Sequence, residues 1–153
     1  MISLASALDG VATLWAEDGS ERRVPIADFV AGPQRNVLKS GELMRSVFLP
    51  ASALTRRTMF RQISLTNYGR SGALVIGTLA KDGAFDLTVT ASTPRPIKFK
   101  FGTLPSADAL RTRIGADIPV DGWYDDIHGL PAWRRHMTLH FAQESRNELS
   151  GAA

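Results

Sequence analysis

The chain contains no cysteine. That absence removes a disulfide framework, a thiolate zinc site, a cysteine-held iron–sulfur cluster and a cysteine nucleophile from this polypeptide. If electrons pass through the protein, their inorganic carriers lie on a partner. Long apolar runs are missing as well, since nothing approaches the roughly 20 residues of a membrane helix. The N-terminal MISLASALDG has no basic segment and reaches Asp9 before the apolar core of a secretion signal could form. The expectation is a cytoplasmic protein without membrane contact. Neither GxGxxG nor GxxxxGK[ST] occurs, and GxSxG is absent too, so no standard backbone cradle for phosphate and no nucleophile elbow is encoded. Gly69, Gly72 and Gly77 cluster but fit none of these spacings, and they read as a loop followed by a glycine-tolerant strand.

Lysine is scarce: 4 lysines stand beside 14 arginines in 153 residues, for a net charge of +3. The arginines pair at Arg22-Arg23, Arg56-Arg57 and Arg134-Arg135. Two readings are open, a solvated charged surface or a basic face for an acidic partner or a phosphate, because arginine suits bidentate contacts. The length suffices for one ordinary domain or two small subdomains sharing a core.

Hydropathy patterning alternates through the first two-thirds of the chain. Val11–Trp15, an Asp18-Gly19 turn and Glu21–Ile26 predict a hairpin. A short helical turn over Ala27-Asp28-Phe29-Val30 is expected to stop at Gly32-Pro33. Glu42–Leu49 reads as a strand with Leu43, Arg45, Val47 and Leu49 on one face and Met44, Ser46 and Phe48 on the other. Met59–Leu65 follows as another strand, then a hairpin of Ala73–Leu79 and Phe85–Thr90 around Asp82-Gly83, then Ile97–Phe101. The period then lengthens. Ser106 predicts an N-cap for a helix over Ala107–Ile114 closed by Gly115, and Pro131 opens a helix to about Leu149 along a Trp133, Met137, Phe141 stripe. Strands first and helices last predict an α+β fold. A composition shift near residues 50–58 divides the chain, and Ser150–Ala153 reads as a disordered tail.

Chemistry-bearing patterns are sparse. His136, His140 and Glu144 share a helix face, but Met137 stands where a metalloprotease pattern needs its glutamate. The neighbouring apolar stripe favours a packing helix with partly buried histidines over a metal site. Asp121, Asp125 and Asp126 lack the alternating ligands of a calcium loop and suit turns and caps. Lys98-Phe99-Lys100-Phe101 interleaves cations and aromatics as single-strand nucleic-acid binders do, yet on a strand the alternation puts both lysines out and both phenylalanines in. Nucleic-acid binding is not expected, and no residue is assigned a catalytic role.

Five segments in order resemble the C-terminal half of the FAD-binding subunit of the molybdenum hydroxylases, the family of the carbon monoxide dehydrogenase flavoprotein. They are ALDGVATLWAEDGSERRVPIADFVAGP, LKSGELMRSVFLP, MFRQIS, ASTPRP and DDIHGLPAWRRHMTLHF. The resemblance implies the end of the second flavin subdomain over residues 1–55 and an α+β C-terminal domain over residues 56–149. It implies FAD as cofactor, with Met44 packed against the isoalloxazine and Arg61 as a cation beside the ring. It implies iron–sulfur and molybdopterin subunits as partners, which deliver electrons to FAD and onward to an acceptor. The family segments that grip the FAD diphosphate would lie upstream of Leu4–Asp9, so this chain alone is expected to bind FAD weakly or not at all, and another chain could supply that half. This sequence departs from the family in Leu65–Ser71 and at Gln34, where an arginine is frequent. The alternative is a standalone protein-interaction module that kept the fold and lost the flavin, with its arginine pairs as the docking surface.

Overall fold

The computed structural model describes residues 1–151. Its architecture is α+β, with antiparallel sheets joined to helices that come mainly at the end of the chain. Helix α1 (Ile2–Ala7) leads into the hairpin β1 (Val11–Trp15) and β2 (Glu21–Pro25), with Gly19 at φ +81° in the turn. One turn of helix, α2 (Ile26–Phe29), then meets a two-stranded ladder of β3 (Val30–Gly32) and β4 (Arg35–Asn36). Gly32-Pro33 therefore ends a strand rather than the helical turn, because the backbone of Val30–Gly32 finds its hydrogen-bond partners across the loop. Strand β5 (Leu43–Phe48) returns beside β1, giving the order β2-β1-β5.

After the short helix α3 (Ala51–Leu54), a meander of β6 (Arg57–Ile63), β7 (Ala73–Leu79), β8 (Phe85–Thr90) and β9 (Ile97–Phe101) makes the larger sheet. The β7/β8 hairpin falls where Asp82-Gly83 places it, with Gly83 at φ +90° in a conformation that costs other residues dearly. Helix α4 (Ala107–Asp117) packs on α5 (Pro131–Ser150), and α5 lies across β6 and β7. The Ser106 side chain accepts a hydrogen bond from the Ala109 N–H, as an N-cap should. Gly115 does not close α4. It lies within the helix, which runs two residues further to an Arg113–Asp117 pair at 2.6 Å. At the other end of the chain, Ser150 is still helical and Gly151 at φ +77° supplies the left-handed cap. The remainder of the expected tail, Ala152 and Ala153, lies outside the described residues.

The main core forms between the larger sheet and the helices, where Phe85, Leu87, Phe99 and Ile114 are completely shielded from solvent. The opposite face of that sheet is covered in part by α1, which packs on β7 and β8 and hydrogen-bonds Ser3 Oγ to Thr90 Oγ1 at 2.9 Å. With both faces covered, β8 is buried at every residue. A second, smaller cluster of Ala12, Leu14, Ile26 and Phe29 sits beneath the β2-β1-β5 sheet. No described helix is long and apolar enough to cross a membrane.

The buried stripe of α5 differs from the expected one. Its buried residues are Arg134, Thr138, Phe141, Ala142, Ser145 and Leu149, while Trp133 and Met137 are only half-buried. Hydropathy misses this stripe because half of it is polar: Ser92 Oγ and Thr138 Oγ1 meet at 2.6 Å, and Arg134 satisfies its donors inside the protein.

Candidate functional site

Met44 and Arg61 stand on different sheets. A β-bulge between Thr13 and Leu14 of β1 sets Met44 opposite Leu14 but Ser46 opposite Thr13. Met44 therefore turns inward onto the small cluster of Leu14 and Phe29, whereas Ser46 and Phe48 line the outer face with Val11 and Trp15. The expected shared face of Met44, Ser46 and Phe48 is thus corrected, because one extra residue in a ladder inverts the alternation beyond it. Arg61 projects from β6 toward α5. Its guanidinium bonds Glu144 at 3.1 Å and Glu148 at 3.0 Å. The acidic turn before β5 is anchored at Glu42, which accepts from Arg22 Nε and Nη2 at 2.8 and 2.7 Å and from the Lys39 N–H at 2.8 Å. The Arg22 fork and that amide hold the Glu42 carboxyl down at about 2.

A cleft of about 390 Å³ opens where the first third of the chain meets the larger sheet. One side is the β3/β4 turn at Gly32, Pro33 and Gln34, and the other is the Thr93–Pro96 segment after β8. Both segments carried the family resemblance, and folding makes them face each other. Gln34 at φ 54° and Ala91 at φ 66° border the cleft in the left-handed region, which costs about 1 to 3 kcal/mol for each non-glycine residue and persists only when the surroundings enforce it.

At Ala91, Arg134 supplies that enforcement. It is 1% exposed, and its donors reach the carbonyls of Gly72 and Gly129 at 2.8 Å each, the carbonyl of Ala91 and the carboxylate of Asp126. One guanidinium thus ties together the loop before β7, the turn after β8 and the turn before α5. Trp133 closes the same junction: a Cβ on Gly129 would lie 2.7 Å from the indole, so the tryptophan and the turn fit only with glycine there. Asp126 also accepts from the His128 N–H at 2.8 Å, the turn role its spacing suggested.

A second charged cluster joins the first third of the chain to the larger sheet. Lys98 Nζ lies 2.5 Å from Asp9 and 3.2 Å from Asp86, and Arg56 bridges the same two carboxylates at 2.9 and 3.0 Å. Burial pushes the Asp9 carboxyl up, but the Lys98 hydrogen bond and the charges of Lys98, Lys100 and Arg56 together hold it below its usual 3.8. Lys98 is therefore not an outward strand lysine. Its side chain is 8% exposed because Asp9 and Asp86 meet it on the face of β9 turned away from α5, whereas Lys100 at 67% points to solvent as expected.

Each arginine pair divides its labour. Arg22, Arg56 and Arg134 make the internal contacts just described, while Arg57 caps α5 by donating to the Leu149 carbonyl at 3.1 Å. Arg23 and Arg135 face solvent. No hydropathy signal separates the members of a pair, since the distinction arises from partners distant in sequence. The histidines of α5 are more exposed than expected. His136 is exposed, and His140, 54% exposed, lies 3.5 Å from the Glu144 that Arg61 also holds. Among the described residues no three His, Asp or Glu side chains are grouped to hold a metal ion.

No family model and no curated protein matches this chain. Solved structures do. A chain of carbon monoxide dehydrogenase from Hydrogenophaga pseudoflava, in a form lacking the Mo-pyranopterin moiety of the molybdenum cofactor, superposes with a TM-score of 0.79 at 16% identity, covering 99% of this chain and 56% of that one. Reconstituted CO dehydrogenase from Oligotropha carboxidovorans gives 0.79 at 17% identity, with coverage of 100% and 57%. Quinoline 2-oxidoreductase from Pseudomonas putida 86 gives 0.75 at 20% identity, with coverage of 99% and 56%. The fold is shared with chains of these oxidoreductases. This chain spans just over half the length of the chains it matches.

The residues present do not by themselves make a flavin cradle. Met44 is turned onto the small cluster, Arg61 is neutralised by two glutamates, and neither borders the 390 Å³ cleft.

Proposed function

We propose that this chain is the C-terminal part of an FAD-binding subunit of a molybdenum hydroxylase-type oxidoreductase. In this reading residues 1–55 complete the second flavin subdomain and residues 56–149 form the C-terminal domain. The observation that carries the proposal is the end-to-end likeness of fold to just over half of the carbon monoxide dehydrogenase chains, at a TM-score of 0.79. The open outer face of β2-β1-β5, with Trp15 and Phe48 exposed, supports it as a surface for further flavin-domain sequence from the same chain or another.

In the complete assembly FAD would supply electron transfer between iron–sulfur clusters on a partner subunit and an external acceptor, with a molybdopterin subunit upstream. This chain's contribution is structural and electrostatic. In this reading Met44 supports the small apolar cluster behind the flavin wall, and Arg61 would serve the ring as a cation only once Glu144 and Glu148, which balance its charge, release it. In this reading the diphosphate contacts would come from another stretch of flavin-domain sequence.

A second reading is favoured by one observation. Arg61 already has two carboxylate partners, as it would in a module that kept the fold and lost the flavin. Visible flavin absorbance separates the two. Purified protein is measured alone and after mixing with a polypeptide carrying the glycine-rich flavin half. Flavin retained only in the mixture supports the subunit reading, and loss of retention on Met44→Asp and Arg61→Glu supports the two site residues. No flavin in either sample assigns the chain to the interaction-module class.

A further inference from the structure

The junction cleft has a chemical bias that the flavin reading leaves unused. Of the polar side chains at its border, those of Gln34, Arg70, Arg95, Tyr124 and His128 make no hydrogen bond or ion pair with any other described residue. Two are cations and the other three can each donate a hydrogen bond. Among the described residues of the lining the only acidic one is Asp126, and Arg134 already neutralises it. Arg134 itself is spent on three carbonyls and that carboxylate, so it organises the floor without needing a ligand.

We propose that this cleft binds a small molecule bearing a phosphate or carboxylate group, gripped between the guanidinium groups of Arg70 and Arg95. Guanidinium groups bind both oxyanions through paired, charge-assisted hydrogen bonds. The prolines at 33, 94 and 96 give the cleft apolar walls that weaken competition from water, and the Tyr124 ring offers a flat surface beside them. At about 390 Å³ the space exceeds a lone oxyanion, so the ligand carries an organic body as well as its charge. The site is built from this chain alone and does not depend on the flavin proposal.

The test is a titration of ¹⁵N-labelled protein with inorganic phosphate and, separately, with succinate, at constant ionic strength maintained by sodium chloride. The expected result is saturable amide shifts at Gln34, Arg70, Ser71, Arg95, Tyr124 and His128 with at least one of the two probes. Arg70→Ala combined with Arg95→Ala is expected to weaken that binding at least about 10-fold, while Arg135→Ala on the solvent side of α5 leaves it unchanged. Both cleft arginines are exposed, so the spectrum of the double variant should retain native dispersion, which the same experiment reads. Saturation by phosphate alone assigns a phosphate-bearing ligand, saturation by succinate alone a carboxylate, and saturation by both the shared oxyanion chemistry. Shifts that stay linear with both probes, that centre on Arg22-Arg23 instead, or that survive the double substitution in a folded protein would overturn the proposal.

Discussion

The two larger sheets differ in how they dispose of their faces. The β6–β9 sheet has α4 and α5 packed over one side and α1 over part of the other, and fourteen buried apolar residues form its core. The β2-β1-β5 sheet lies over a cluster of four and leaves its outer side bare, with Trp15 41% and Phe48 64% exposed. A strand order alone does not distinguish them, since both are antiparallel meanders or hairpins. What differs is the supply of covering elements: long helices follow the second sheet in sequence, and only the single turn of α2 follows the first hairpin. The first sheet therefore gains much of its order by being clamped to the second, through Asp9 with Lys98 and Arg56 and through α1 on β7 and β8.

That contrast can be broken most forcefully from inside the larger core. Phe99→Ala empties a fully buried ring site and is expected to cost about 4 kcal/mol in chemical denaturation. Arg134→Ala should cost about 3 kcal/mol or more, because the carbonyls of Gly72, Ala91 and Gly129 and the Asp126 carboxylate lose their partner together. Thermal and urea unfolding measure it, and a cost below 1 kcal/mol would mean that the junction is organised by something else. Leu14→Ala acts on the small cluster and should cost less, about 2.5 kcal/mol, with hydrogen exchange accelerating in β1, β2 and β5 but not in β7 and β8. Equal acceleration in both sheets would dissolve the distinction between them.

Smaller effects sharpen the comparison at the clamp and at the open face. Asp9→Asn keeps the shape but removes a charge shared by Lys98 and Arg56, with an expected loss of about 1 kcal/mol at pH 7. The pH dependence follows in sign. The folded Asp9 carboxyl lies below its usual 3.8, so its stabilising contribution is present above that value and fades as pH falls through the lower folded value. Amide protection in α1, corrected for the intrinsic exchange rate at each pH, should fall below about pH 4 in the parent protein, and Asp9→Asn should flatten that fall. Phe48→Ser, on the bare face, should change stability by no more than about 0.5 kcal/mol while weakening any association through that face, as sedimentation at increasing concentration would show.

Much of the fold can be read from residues alone because its signals are local. The Asp82-Gly83 turn, the Ser106 cap, Pro131 at the start of α5 and the alternation through β7, β8 and β9 each act within a few residues, and the structure places them accordingly. The errors are non-local. The bulge that inverts β5 depends on its register with β1, the burial of Lys98 depends on Asp9 eighty-nine residues away, and Gly115 stays helical because α4 continues to the Arg113–Asp117 pair. Of the site, both loops of the cleft stood out in the sequence, as Gly32-Pro33-Gln34 and Thr93-Pro94-Arg95-Pro96. Arg134 did not, since an arginine beside another arginine on an amphipathic helix reads as surface. The warning available was its place between Leu130 and Thr138 on the face that glycine-rich turns approach.

By itself the sequence determined the main strands, the two long helices, the α+β order and the exclusion of cysteine chemistry, because these follow from backbone preferences and residue inventory over short windows, whereas the short α1, α3 and β3/β4 elements were not legible. Only the tertiary structure decided which member of each arginine pair turns inward, which face of β5 carries Met44, and that two proline-containing loops sixty residues apart would enclose one cleft. Those outcomes rest on burial and pairing between distant segments. A buried charge is tolerated only where the folded chain brings it a partner.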